Sequence, residues 1–175
     1  MHHNLYSVQA VTLAANLANH RPATAADLAE RCRDGGLVLE QPVVQQDVAR
    51  VNAVLDEWEQ VVDATDDHER ARLLNQMTRS AAAHPRLTDH AGTGWHLHYR
   101  DDGQPLGAVL HVLFAVGTAM HLANRGMHRL RRCEVAECTT IFADTSRTGR
   151  QRYCSPRCAN RDAVRRHRAR GGGAE

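Results

Sequence analysis

Four cysteines near the C-terminus form two closely spaced pairs, Cys133-x4-Cys138 and Cys154-x3-Cys158. Zn²⁺ prefers four soft ligands in a tetrahedron, and two such pairs can supply them from a knuckle and a following helix start. Four thiolates leave no coordination position for water or substrate, so the spacing predicts one structural Zn²⁺ and no catalytic metal. The alternative is four unrelated buried thiols. Cys32 stands alone in a predicted helix, and we expect it in the core.

The segment around these cysteines has the turn and cap residues of a small zinc module. A strand, a polar turn and a return strand are predicted over 139–143, 144–149 and 151–153. Ser155 and Pro156 suit the N-cap and first turn of a helix that continues to Arg170. A cysteine pair, a hairpin, a second cysteine pair and a helix, in this order, are typical of a treble-clef finger. Its main apolar residues are Ile141, Phe142, Tyr153 and Val164, too few to fold the module without the metal.

Basic residues are concentrated in the same segment. All 22 basic residues are arginine, and residues 125–170 hold 13 of them against 4 acidic residues, whereas residues 1–124 hold 9 against 15. This asymmetry predicts an anionic polymer or surface as partner, and membrane phospholipid would also fit. Phosphates would meet the arginines, and Asn160 and Arg161 can reach base edges, although Asn160 can instead brace the zinc knuckle. The predicted nucleic-acid-binding residues are Arg147, Arg150, Arg152, Arg157, Asn160, Arg161, Arg165, Arg166 and Arg168.

The chain before the cysteines is predicted to be mostly helical. Apolar periodicity and breakers predict helices over 5–19, 24–34, 44–62 and 69–83, with Thr24 as an N-cap and Gly35 as a stop. From Trp95 to Arg100 the period changes to two, which predicts a strand, and Asp101 to Gly103 supplies a turn. The N-terminal part is therefore a helical domain with a small β element.

One apolar stretch, Pro105 to Asn124, contains no Asp, Glu, Lys or Arg and is long enough to cross a bilayer. His111 and His121 disfavour insertion, and the central helix of a helical domain needs a similar composition. We therefore predict a buried core helix and no membrane partner. The first four residues lack the pattern of a secretory signal, so we expect a cytoplasmic protein with reduced thiols.

Several polar residues of the helical part are candidates for a small-molecule effector pocket. His96 and His98 project from one strand face, as two metal ligands do, but no third ligand is recognisable. The candidate pocket comprises Asn16, Asn19, His96, His98 and His111, and the alternative is that they are satisfied structural residues. No Ser-His-Asp order, phosphate-binding glycine loop or carboxylate pair stands out, so we predict that the protein is not an enzyme.

Tyr153-Cys154-Ser155 and Cys158-Ala159-Asn160-Arg161 together resemble the signature of the CGNR zinc-finger family, with Ala159 in place of glycine. This resemblance covers about residues 129–168. Residues 5–124 resemble the ABATE domain that usually precedes this finger, because Asn16-Leu17-Ala18-Asn19 is similar to its early Asp-Phe-x-Asn pattern, with Asn16 replacing the acid. The resemblance implies DNA binding and stress-induced transcription regulation.

The sequence thus predicts an α+β protein, mostly α with a small β element. A helical ABATE-like domain spans 1–125, a treble-clef-like CGNR zinc finger spans 126–170, and a disordered tail spans 171–175. The predicted function is zinc-dependent DNA binding in transcription regulation, with an N-terminal domain that senses a ligand or forms a homodimer. One alternative is a zinc-containing RNA- or protein-binding module. A third hypothesis, an enzyme with His96 and His98 at its active site, needs a further catalytic group.

Overall fold

The computed structural model describes residues 5–89 and 95–171, and these form six α-helices and two small antiparallel sheets. The helices are α1 (Leu5–Asn19), α2 (Ala25–Asp34), α3 (Gln45–Asp63), α4 (Asp67–Ala81), α5 (Leu106–Arg125) and α6 (Pro156–Gly171). The strands are β1 (Arg86–Thr88), β2 (His96–His98), β3 (Leu130–Arg132) and β4 (Ile141–Ala143). The predicted mostly helical fold with a small β element is confirmed. Of the tail predicted at 171–175, Gly171 ends α6 and residues 172–175 lie outside the described residues.

Local signals place the helix ends close to their predicted positions. Thr24 caps α2 by accepting a hydrogen bond from the backbone N–H of Asp27 at 3.1 Å. The helix ends at Asp34, and Gly36 then adopts a φ of 82°, which favours glycine. Along α3, the apolar residues spaced by three and four are buried, with Trp58 fully inaccessible to solvent. The helical periodicity therefore identified this face correctly from Val48 to Val62, whereas Val44 precedes α3 and is 51% exposed.

Helix α5 is the centre of the helical body, as predicted, and packs against α1, α3 and α4. By length and composition it could cross a membrane, but 67% of its most apolar window is buried inside the protein. Trp58 of α3 donates a 2.8 Å hydrogen bond from Nε1 to the hydroxyl of Thr118. Gly117 lets α1 pack closely against α5, because a Cβ at this position would lie 2.3 Å from the Cβ of Ala10 in α1.

The predicted strand at 95–100 is present as β2, and its partner is β1, which sequence analysis did not identify. The antiparallel register places Leu87 opposite Leu97. In a strand that packs on a core, the apolar face is buried and the polar face is exposed. β2 shows the reverse, because Leu97 and the preceding Trp95 are exposed while His98 is buried. The alternation therefore predicted the strand correctly without indicating which side faces the core.

The C-terminal hairpin differs from the predicted one. β4 pairs with β3, which precedes the first cysteine, and not with a return strand at 151–153. The predicted return strand is wrong because Cys133 and Cys138 occupy the loop between β3 and β4, so the hairpin closes across the first cysteine pair. The segment after the turn instead contacts the loop between the strands, where the carbonyl of Arg152 accepts a 3.1 Å hydrogen bond from the backbone N–H of Glu134.

This hairpin is shared between the two parts of the chain. Leu130 of β3 and Ile141 of β4 are buried among the apolar residues of the helical body. A separate small cluster contains Val135, Tyr153 and the four paired cysteines. Ile141 was predicted as apolar content of the zinc module, but it packs in the larger core. The predicted division at 125/126 therefore stays a prediction, since an element beyond it packs in the core before it.

A candidate metal centre and nucleic-acid interface

The four paired cysteines converge on one point. Cys133 directly follows β3, Cys138 lies in the loop before β4, and Cys154 and Cys158 flank the start of α6. All four Sγ atoms lie within 4.8 Å of one another. The Sγ of Cys138 is 3.8 Å from those of Cys154 and Cys158, which are themselves 3.7 Å apart. Bonds of about 2.3 Å in a tetrahedron separate sulfur atoms by about 3.8 Å, so this spacing fits Zn²⁺.

Backbone structure holds these thiols in place. A tight turn brings the N–H of Cys138 to the carbonyl of Val135 at 2.8 Å. Ser155 caps α6, as predicted, and accepts a 3.3 Å hydrogen bond from the N–H of Cys158. Thr140 lowers the pKa of the Cys138 thiol to about 6, whereas burial raises the pKa of Cys154 to about 12. A cation is needed to hold all four as thiolates, and this is the charge that Zn²⁺ supplies.

Four thiolates at the tip of a hairpin and the start of a helix define a closed, structural zinc site. Residues 129–171 match the family model of the CGNR zinc finger. The C-terminal part of the chain thus carries a CGNR zinc finger with a site for one structural Zn²⁺. No curated protein matches the chain. The match does not extend into the helical body, so the resemblance of residues 5–124 to an ABATE domain stays a prediction.

A buried carboxylate organises the loop between β4 and the second cysteine pair. Asp144 is fully buried and accepts hydrogen bonds from the backbone N–H groups of Ser146 at 2.9 Å and Gln151 at 3.0 Å. Although burial opposes ionisation, these bonds hold the pKa of Asp144 below its usual value. Arg129 donates to the carbonyl of Asp144 at 3.2 Å, and a Cβ on Gly149 would lie 2.5 Å from its guanidinium carbon. The loop is therefore held at several points.

Two predicted phosphate contacts lie on this loop. Arg147 and Arg150 are exposed on either side of Gly149, which has a φ of 68°. Arg157 and Arg168 are exposed on α6. Within the described part of the chain, the side chains of these four arginines make no ion pair or hydrogen bond. They are the cations that an anionic partner could neutralise without displacing an acidic side chain.

The other predicted arginines already meet carboxylates. Arg152 donates to Glu134 at 2.6 Å, and its guanidinium lies 5.6 Å from the ring centre of Tyr153. Asp162 lies 2.7 Å from Arg165 and 2.9 Å from Arg166 on the following turn. The pairs of Asp162 follow the i,i+3 and i,i+4 spacing that a helix brings together, so the sequence could have indicated them.

One face of α6 carries both predicted base-reading residues. Asn160 and Arg161 are exposed near its start, so both are accessible to a partner. A shallow groove of about 420 Å³ on this face is lined by Asn160, Arg161, Val164, Arg165 and Arg168. Two further residues belong to this region. Val164, predicted as apolar content of the zinc module, is 50% exposed, and Glu137, which sequence analysis did not assign, lies 4.0 Å from both Arg161 and Arg165.

The five residues of the candidate effector pocket do not meet at one described cavity. Asn16 is exposed on α1, while Asn19 is bonded to Ile141 of β4. His96 and His98 contact each other, with their Nε2 atoms 3.1 Å apart. His111 lines a separate cleft of about 140 Å³. It lies 3.8 Å from Glu57, and burial lowers its pKa. The geometry therefore supports no effector site that uses all five.

Proposed function

We propose that the protein is a zinc-dependent DNA-binding regulator of transcription, in which the C-terminal finger contacts duplex DNA. The observation that carries the proposal is the set of exposed arginines on the zinc module whose side chains meet no described carboxylate. Such residues can neutralise phosphates and release counterions at little cost to the fold. The matched CGNR zinc finger supports a nucleic-acid partner in general.

Each part of the module has a role in this proposal. Zinc cross-links the hairpin tip to the start of α6. Asp144 holds the loop that presents Arg147 and Arg150, and the zinc site fixes the orientation of α6. Contacts from arginines to phosphates would give affinity with a strong salt dependence, and contacts from α6 to base edges would give sequence preference. The helical body would provide dimerisation or ligand sensing, in the reduced cytoplasmic compartment that the thiols require.

Competition binding at fixed salt tests this function. The full-length, zinc-loaded protein is mixed with a labelled pool of random duplex DNA and challenged with unlabelled duplex DNA, structured RNA or an acidic peptide. We expect duplex DNA to compete best, and repeated selection from the pool to enrich one sequence. A preference for structured RNA or for the peptide would instead support an RNA- or protein-binding module.

The arginines provide a second measurement. Replacing Arg147 and Arg150 together with alanine should make the log–log salt slope shallower by about 0.9 for each phosphate that the loop no longer neutralises. Arg31 and Arg33 on α2 provide a control pair that removes the same charge from the helical body. An unchanged slope in the Arg147/Arg150 variant, with zinc retained, would contradict phosphate binding by the loop.

A further inference from the structure

Val164 is an apolar residue on the exposed face of α6. It is half exposed, and it belongs to neither the main core nor the cluster around the thiols. A β-branched residue is also a weaker helix former than alanine or arginine. Neither packing nor helix stability therefore explains an exposed valine on a helix that is otherwise rich in arginine.

The surroundings of Val164 indicate which partner would cover it. Asn160 lies one turn before it and Arg168 one turn after it, and Arg161 and Arg165 border the same groove. An apolar contact ringed by cations suits a polyanion that also presents apolar groups. The bases of duplex DNA meet this description, because each thymine carries a methyl group at the edge of the major groove.

The shape of α6 favours the same partner. Beyond Asp162, residues 163–169 are exposed on every side of the helix. The major groove of B-DNA is about 12 Å wide and admits an α-helix. The major groove of A-form RNA is deep and narrow, so a helix cannot reach its base edges. An unburied helix therefore fits duplex DNA better than double-stranded RNA.

We propose that Val164 reads the 5-methyl group of a thymine in the major groove of the bound DNA. Asn160 lies four residues earlier, about 6 Å along the helix axis, so it would lie over a nearby base pair. It can pair with adenine through two hydrogen bonds there. The face would thus prefer an A·T-containing step. This inference rests on the proposed function, because it requires the finger to bind duplex DNA.

The test removes the methyl group alone. A preferred duplex is selected with the full-length zinc-loaded protein, and each thymine is then replaced in turn by deoxyuridine, which keeps the pairing and the O4 acceptor. We expect affinity to fall about fourfold at one or two positions, the effect of no longer burying one methyl-sized group. Val164→Ala should reduce that effect to less than about twofold at the same positions, since the side chain that contacts the methyl is gone.

A matched variant separates this effect from a general decrease in apolar surface. Val38→Ala removes the same atoms from an exposed valine in the helical body, and it should keep the full response to deoxyuridine. Val164→Ala should also keep its zinc, because alanine is a good helix former. Tight binding with no response to any thymine methyl, or an unchanged response in Val164→Ala, overturns the inference alone. Failure to bind any duplex from the pool overturns the proposed function as well.

Discussion

Asn19 at the end of α1 binds both backbone groups of Ile141 in β4. Its Nδ2 donates to the carbonyl oxygen of Ile141 at 2.8 Å, and its Oδ1 accepts from the N–H of Ile141 at 2.8 Å. The amide of Asn19 thus bonds to β4 as a neighbouring strand would, on the edge not paired with β3. This contact joins two residues separated by 122 positions and attaches the hairpin of the finger to the helical body.

Replacing Asn19 should therefore weaken the whole protein. Asn19→Ala removes two hydrogen bonds to a largely buried strand, and we expect the free energy of unfolding to fall by about 2 kcal/mol. Asn19→Asp should have an intermediate effect, because a carboxylate can accept from the N–H of Ile141 but cannot donate to its carbonyl.

Asn16→Ala on the exposed side of the same helix is the control, with a change within about 0.5 kcal/mol. Urea denaturation followed by circular dichroism measures all three, and equal effects at the two positions would contradict this role.

The role of Asn19 illustrates which features the sequence could reveal. Helix boundaries followed from Thr24, Gly35 and the periodic apolar residues, because these signals act over a few neighbouring positions. The zinc site followed from cysteine spacing for the same reason. The pairing of β3 with β4 and the bond from Asn19 to Ile141 depend on contacts between distant positions, which a single sequence does not encode locally. For this reason Asn19 was predicted to line an effector pocket and not to bind β4.

Truncation tests the predicted domain boundary. The fragment 1–125 contains none of the four zinc ligands, so its folding should not require the metal. We therefore expect it to be folded and to unfold in one cooperative transition. The fragment lacks Leu130 and Ile141, which in the full chain are buried in the core of the helical body. Its thermal midpoint should therefore lie below that of the full chain. Scanning calorimetry of both proteins checks this. An unfolded fragment would show that the hairpin is essential to the helical domain, and an unchanged midpoint would show that the shared packing contributes little.

Zinc content can be measured directly. The purified chain should hold one equivalent of zinc, and the double variant Cys154→Ser, Cys158→Ser should hold much less, because it retains only two of the four thiols. Cys32→Ser is the matched control, since Cys32 is buried away from the cluster and should leave zinc content unchanged. Elemental analysis provides the measurement. Full zinc retention in the double variant would rule out this ligand set.

His121 should make the protein less stable in acid. It is fully buried, its ring nitrogens have no hydrogen-bond partner among the described residues, and burial together with Arg125 and Arg129 lowers its pKa to about 4. Histidine in the unfolded chain takes up a proton near pH 6.5. The contribution of neutral His121 to the free energy of unfolding is therefore fully present above that pH. It should then fall by about 3 kcal/mol as the pH drops toward 4.

His121→Leu isolates this contribution, because loss of zinc in acid affects both proteins. Urea unfolding at several pH values should show the two stabilities diverging below pH 6.5, with the variant less sensitive to pH. Asp144, the nearby carboxylate that favours protonation of His121, is present in both proteins. Parallel curves from pH 7 to pH 4.5 would contradict the assignment to His121.

Removing the acidic group beside the base-reading face should strengthen DNA binding. Glu137 is exposed and lies 4.0 Å from Arg161 and from Arg165, so its charge opposes the approach of phosphates to that face. At a separation of about 7 Å in water, removing one such repulsion is worth about 0.6 kcal/mol, or about threefold in affinity. We expect Glu137→Gln to bind duplex DNA about threefold more tightly at low salt, with the gain decreasing as salt rises. Glu30→Gln, an equal charge change at an exposed position of α2, should have a smaller effect, and zinc content should stay unchanged in both. Equal gains from the two substitutions would attribute the effect to net charge, and no gain from Glu137→Gln would contradict the placement of DNA on this face of α6.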